Sequence, residues 1–93
     1  MKVRIVSDIV LFKLLLNDWN TLFSLGSYSV FQSFHFNYYS WKAELSKNPR
    51  NKLCIVLLEK NKKIDAIFPL YIDSQYTLRF INDRHASLFD EYF

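Results

Sequence analysis

The 93-residue sequence predicts an α+β domain whose elements follow in the order β-α-α-β-β-β. Two stretches in the first half carry apolar residues at helical spacing, and each contains a Trp. In the second half, the apolar run from Leu53 to Leu58 is followed by two strand-like segments separated by short polar turns. Consecutive strands joined by short turns pair antiparallel, so the prediction is an antiparallel meander with two helices packed on it.

The first strand and first helix are predicted from alternation and then from helical spacing. Lys2 to Val6 alternates between polar and apolar residues, which indicates a short strand near a sheet edge. Ser7 or Asp8 is suited to cap a helix at about residues 10–24. Gly26, the only glycine, lies where a helix stop is expected. The apolar stripe of this helix consists of Phe12, Leu15, Leu16, Trp19, Leu22 and Phe23.

The second helix is predicted at about residues 33–46 and is rich in aromatic residues. It ends near Pro49, because the residue before a proline disfavours helical geometry. Its main stripe is Phe34, Tyr38, Trp41 and Leu45. Only Lys42 is basic nearby, so the aromatic residues are interpreted as core rather than as a platform for single-stranded nucleic acid.

Three strands are predicted after Asn51. Leu53 to Leu58 lacks alternation, which indicates a central strand covered on both faces. A polar hairpin turn at residues 59–63 leads into an alternating strand, Ile64 to Ile72, in which Pro69 predicts an edge side, a bulge or an end. Ser74-Gln75 is a tight turn before a last strand, Tyr76 to Asn82.

Composition narrows the class of protein. The chain is long enough for one domain, and its content of 51% hydrophobic residues argues against disorder. The net charge of +3 is spread along the chain, and the local cluster Lys60, Lys62 and Lys63 is interpreted as a solvated hairpin tip rather than a nucleic-acid contact. The apolar runs are too short to span a membrane and no signal peptide is evident, so the expectation is a soluble cytoplasmic protein with no membrane or nucleic-acid partner.

The side chains that could carry chemistry lack the settings that chemistry requires. Cys54 excludes an internal disulfide and lies in an apolar run, which favours an inert buried thiol. No acidic residue or cysteine stands at a metal-site spacing from a histidine, so no metal site is predicted and the catalytic residues stay unknown. His85 is interpreted as a residue of a solvent-exposed turn, His35 as a helix flank residue and Arg79 as a surface ion-pair residue. Ser7, Ser33 and Ser87 lack the setting and the paired histidine of a nucleophile. The adjacent Asp90 and Glu91 point apart, which argues against joint acid–base catalysis.

Several short motifs occur in a definite order: Trp19, Phe31-Gln32-Ser33, Trp41, Leu53 to Leu58, Ala66-Ile67-Phe68-Pro69-Leu70, Leu78-Arg79-Phe80-Ile81, and Asp83 through Tyr92. Their order and spacing resemble the opening half of a GNAT-like acyltransferase domain of the bacterial cellulose-biosynthesis and FemAB-like type. The resemblance covers most of the chain and implies a single, incomplete domain over residues 1–93.

In a complete member of that family, the resemblance implies attack by an amine or hydroxyl on an acyl thioester. Acetyl-CoA or another acyl-CoA would be held by a glycine-containing loop after the fourth strand. This chain has no such loop, because its only glycine is Gly26, so no cofactor-binding residue is carried over. The expected function is therefore a GNAT-like N-acyltransferase fragment or remnant that is not catalytic alone, and whether to call it an enzyme is left open.

The alternative is a small protein-binding or self-assembling module without enzymatic activity. The chain finishes on Phe89-Asp90-Glu91-Tyr92-Phe93, and an unpaired sheet edge favours association. We therefore expect a homo-oligomer that buries these aromatics and a sheet edge or helix face, or else association with the remainder of a larger acyltransferase. The last strand is the expected edge, because Lys2 and Arg4 protect the first.

Overall fold

A computed structural model of the chain describes residues 1–25 and 33–82. The first half holds the strand β1 and three helices: β1 Lys2–Val6, α1 Ile9–Lys13, α2 Leu16–Ser24 and α3 Phe34–Ala43. A 3-10 turn at Leu45–Lys47 leads into the remaining strands, which are β2 Lys52–Lys60, β3 Lys63–Ile72 and β4 Leu78–Phe80. The predicted α+β class is confirmed.

The four strands form one sheet in the order β1-β2-β3-β4, and every neighbouring pair is antiparallel. The predicted meander therefore consists of β2, β3 and β4. β1 pairs with the other edge of β2 and completes the sheet. In the described part of the chain β1 and β4 are the two edges of the sheet. The predicted last strand is shorter than expected, since it spans Leu78–Phe80 rather than residues 76–82.

The predicted helix at about residues 10–24 is interrupted after Lys13, so α1 and α2 are separate helices. At the interruption the backbone N–H of Leu15 donates to the carbonyl of Phe12, three residues earlier, at 3.0 Å. The helical ladder resumes at Trp19, whose N–H donates to the carbonyl of Leu15 at 2.8 Å. The Leu15 bond spans three residues instead of the four of a regular α-helix, so the turn is tighter there.

Side chains cap two of the helices, and the cap of the first was predicted from the sequence. Asp8 accepts from the N–H of Val10 at 2.7 Å and of Leu11 at 3.2 Å, so Asp8 rather than Ser7 caps α1. Ser33 has extended backbone and accepts from the N–H of Phe36 at 3.2 Å, which fixes the start of α3. Each bond satisfies a helix N–H that has no partner within its own helix.

The core lies between the helices and one face of the sheet. Phe12 is central to it: its ring centroid lies 5.7 Å from Trp19, 5.6 Å from Phe34 and 5.4 Å from Tyr38. The buried hydrophobic residues are Val6, Phe12, Leu15, Trp19, Phe34, Tyr38, Trp41, Leu53, Ile55, Leu57 and Ile81. The interpretation of the aromatic helix as core is confirmed, because both tryptophans and the stripe residues Phe34 and Tyr38 are buried.

The hairpin between β2 and β3 is tighter than the predicted five-residue turn. Its loop is Asn61-Lys62, and both residues have positive φ, 53° and 63°. Two residues in the left-handed region form the turn whose twist matches the flanking strands. The β2–β3 register shifts between Leu58 and Glu59, where a bulge absorbs one residue.

Pro69 lies within β3 and marks the end of its ladder with β4. Its carbonyl accepts from the N–H of Ile81 at 2.8 Å. The N–H and C=O of one residue in an antiparallel strand point to the same neighbour, so the donor that Pro69 lacks would have faced β4. The missing bond falls where β4 ends, which is one of the outcomes that the sequence predicts.

Candidate functional site

The side of the sheet away from the helices is an almost uncharged surface, here called the open face. Directly paired residues of antiparallel strands project to the same side, so the register defines its rows. The rows are Val3–Leu58–Ala66, Ile5–Val56–Phe68, Cys54–Leu70–Phe80 and Lys52–Ile72–Leu78. Lys52 is the one charged residue among these twelve positions.

Several side chains of the open face are well exposed to solvent. Val3 and Ile5 on β1 are each 60% exposed, and Leu78 and Phe80 on β4 are 56% and 46% exposed. Phe68, between them on β3, is 38% exposed. A contiguous apolar surface that spans all four strands is typical of an interaction surface.

The expectation that β2 is covered on both faces is wrong for the described part of the chain. Leu53, Ile55 and Leu57 are buried against the helices, whereas Cys54 and Val56 are half-buried on the open face. No helix in residues 1–25 or 33–82 packs over them.

A polar corner lies at the turn between β3 and β4. Asp73 Oδ1 accepts from the backbone N–H groups of Gln75 and Thr77, each at 2.9 Å, and Oδ2 accepts from Arg79 Nε at 2.6 Å. The hydrogen bond from Arg79, then that from Thr77, holds the pKa of Asp73 below its ordinary value of 3.8. The carboxylate thus fixes both the turn and the Arg79 side chain.

An open cleft of about 510 Å³ adjoins this corner, and its lining residues are Pro49, Arg50, Lys52, Ile72, Asp73, Ser74 and Tyr76. Tyr76 has φ 60° and is 92% exposed. The turn follows the three-residue hairpin pattern, in which the left-handed position is normally glycine. The cleft presents two cationic side chains, Arg50 and Lys52, and the ring of Tyr76 to a small anion. Both cationic side chains are exposed to solvent.

The candidate residues on and near α3 have structural roles. His35 is exposed, and its ring stacks on Tyr39 at 6.3 Å. The Ser33 hydroxyl caps the helix, as described above. Lys42 lies over the ring of Tyr38 at 5.9 Å, which is a cation–π contact rather than part of a phosphate track.

The other candidates are dispersed over the described surface. Ser7 is exposed between β1 and α1, and Cys54 lies on the open face. Arg79 forms the predicted surface ion pair, with Asp73. The Lys60, Lys62 and Lys63 cluster is an exposed hairpin tip, as predicted. The candidates His85, Ser87, Asp90 and Glu91 and the C-terminal aromatics lie outside the described residues.

Two further properties concern residues 1–25 and 33–82. No helix there is long and apolar enough to cross a membrane. No group of three or more His, Cys, Asp or Glu side chains there is arranged to hold a metal ion.

Neither the open face nor the polar corner was predicted from the sequence. A signal for the open face was present, because both sets of alternating positions in β2 and β3 are largely apolar. For the corner, Asp73 stands six residues before Arg79, a spacing that becomes a contact only when the turn is known.

Comparison with protein-family models, with characterised proteins and with solved structures finds no match to this chain. The resemblance to GNAT-like acyltransferases therefore stands on the motifs in the sequence and on the order of the elements.

Proposed function

We propose that this chain is a GNAT-like acyltransferase fragment or remnant, equivalent to the opening half of a cellulose-biosynthesis-type domain and not catalytic alone. The order of elements carries the proposal. A strand, a helical segment in two pieces, a second helical segment and three antiparallel strands follow one another. The resemblance implies this order for the start of that fold. The order by itself is shared by other α+β domains, so the motifs add the specificity.

The motif residues occupy positions that determine the fold. Trp19 and Trp41 are buried in the core, 3% and 7% exposed. The Ala66-to-Leu70 motif lies in β3, and the carbonyl of its Pro69 accepts from the N–H of Ile81. Leu78-Arg79-Phe80 is β4 itself. These positions support a common architecture and assign no catalytic role.

Three described side chains that could act as a nucleophile, base or acid have structural roles, which supports the non-catalytic part of the proposal. Ser33 caps a helix, His35 stacks on an exposed ring, and Asp73 is paired with Arg79. No two of these lie together in one enclosed site, and catalysis by proton transfer requires partners within hydrogen-bond reach.

Calorimetric titration with acetyl-CoA tests this proposal. We expect no binding at micromolar ligand, because the family's acyl-CoA loop has no counterpart in the sequence. Binding in the micromolar range would overturn the non-catalytic assignment. Kinship is tested separately by the codons that follow Phe93 in the source gene: a continuing frame that encodes the glycine-containing loop supports it, and a stop codon there favours the second candidate.

The second candidate function is a binding or self-assembling module. The open face favours it, because the described part of the chain presents four strands of apolar side chains with one charge. This function needs no catalytic group, and it is compatible with descent from an acyltransferase.

A further inference from the structure

We propose that the open face binds the open face of a second copy of this chain, so that two sheets pack face to face. This inference rests on the second candidate function and names its partner. It differs from association through a sheet edge or the C-terminal aromatics, because the contact is made by side chains in the middle of β1 to β4. Acetyl-CoA binding does not depend on it, so the two proposals fail separately.

The exposed area is sufficient for such a dimer. A large aliphatic or aromatic side chain has on the order of 150–200 Å² of surface, so the five most exposed side chains leave roughly 500 Å² open. The half-buried side chains between them, such as Val56 and Leu70, add to this area. A stable interface needs about 800 Å² from each partner, and the open face approaches that size.

The distribution of charge favours a like partner. The charged residues of β1 project to the opposite side, where Arg4 Nε lies 3.0 Å from Glu59 Oε1. Lys52 lies in the last row, at the corner of the open face. Two open faces can therefore meet without burying a like-charge pair at their centre. Lys52 of each copy stays in contact with solvent at the corner.

The geometry of sheets also suits this arrangement. Twisted sheets pack face to face about 10 Å apart, and the side chains of their inner faces interdigitate. The open face combines large side chains, Ile5 on β1, Phe68 on β3 and Phe80 on β4, with the smaller Ala66 and Cys54 on the inner strands. The dimer would give β2 the second covered side that its unbroken apolar sequence predicts.

Cys54 provides a direct probe, because it is the only cysteine and lies on the open face. Its rate of reaction with a maleimide is measured from nanomolar to high micromolar protein, together with the sedimentation coefficient. We expect the rate to fall as protein concentration rises, over the same range in which a dimer forms.

Two double variants separate the open face from other exposed apolar residues. Ile5→Lys with Leu78→Lys places charges on both outer strands of the open face, at side chains 60% and 56% exposed. Val10→Lys with Leu11→Lys is the matched control on α1, at side chains 64% and 51% exposed. Circular dichroism checks that both variants fold.

The open-face variant should weaken dimerisation at least about 100-fold, because unpaired charges are costly to bury and every 1.4 kcal/mol is tenfold in affinity. The α1 control should dimerise as the wild type does. The proposal is wrong if the folded open-face variant dimerises as tightly as the wild type. It is also wrong if Cys54 reacts at one rate at all concentrations. A uniformly slow rate would mean that another part of the same chain covers the face, and a uniformly fast rate that it stays free.

Discussion

Replacing Phe12 by alanine tests the core most severely. Phe12 has no solvent exposure, and its ring contacts Trp19, Phe34 and Tyr38 at centroid distances of 5.4 to 5.7 Å. Phe-to-Ala changes in cores cost about 3–5 kcal/mol, and three aromatic contacts place this one near the upper end. A domain of this length has about 5–14 kcal/mol of stability in total, so Phe12→Ala should remove a third of it or more.

Urea denaturation followed by tryptophan fluorescence measures the loss, at protein concentrations low enough to keep the chain monomeric. Leu11→Ala is the control, because Leu11 is the adjacent residue and is 51% exposed. The control should change stability by about 0.5 kcal/mol or less. If Phe12→Ala lost less than about 1 kcal/mol, the ring would not be enclosed between α2, α3 and the sheet, and the packing described here would be wrong.

Three further predictions concern local structure. Lys62→Gly should stabilise the protein by about 0.5 kcal/mol, because Lys62 has φ 63°, whereas Lys60→Gly in the neighbouring strand should destabilise it; urea midpoints compare the two, and equal effects would contradict the turn geometry. Ser33→Ala should cost about 1 kcal/mol in the same assay by removing the cap of α3, and an unchanged midpoint would mean that the cap does not form. Because the folded pKa of Asp73 is lowered, its contribution to stability should be complete above the ordinary value of 3.8 and lost as pH falls through the folded pKa. Asp73→Asn should therefore be less stable than the wild type at neutral pH, with the difference closing in acid, and Arg79→Met should raise the pKa of Asp73 in an NMR titration; a pKa that stays where it is would show that the pair does not form in solution.

The strands were predictable because side-chain alternation and turn residues are local signals. Lys2–Val6 lies where the sequence places it, and the aromatic α3 begins one residue after its predicted start. The predicted run Leu53 to Leu58 lies within β2, which continues to Lys60. The cap of the first helix could be narrowed to Ser7 or Asp8 because both precede an apolar periodic stretch. These features depend on neighbours in the sequence rather than on distant contacts.

The interruption between α1 and α2 was not predictable from periodicity. Phe12, Leu15 and Trp19 keep helical spacing through the break, so a continuous helix and a tightened turn give the same pattern. The same limit applies to Tyr76. Its left-handed backbone is a property of the complete β3–β4 hairpin, and no residue preference would place a tyrosine there.

The open face was misread because an apolar run does not say what covers it. Cys54 and Val56 look buried in the sequence, and the structure shows that they are only half-buried. The roles of His85, Asp90 and Glu91 remain predictions, because these residues lie outside the described part of the chain. The kinship to acyltransferases and the contacts of the C-terminal aromatics are likewise predictions.

The central claim is that one face of the sheet is sealed by helices and the other is accessible in the monomer. Cys54 and Ile55 are adjacent in β2 and project to opposite faces, and Ile55 has no solvent exposure. Maleimide labelling at nanomolar protein compares wild-type Cys54 with Ile55→Cys in a Cys54→Ala background. We predict that Cys54 reacts from the folded state, whereas the cysteine at position 55 reacts only at the rate of unfolding. Equal rates at the two positions, or faster reaction at position 55, would contradict this account.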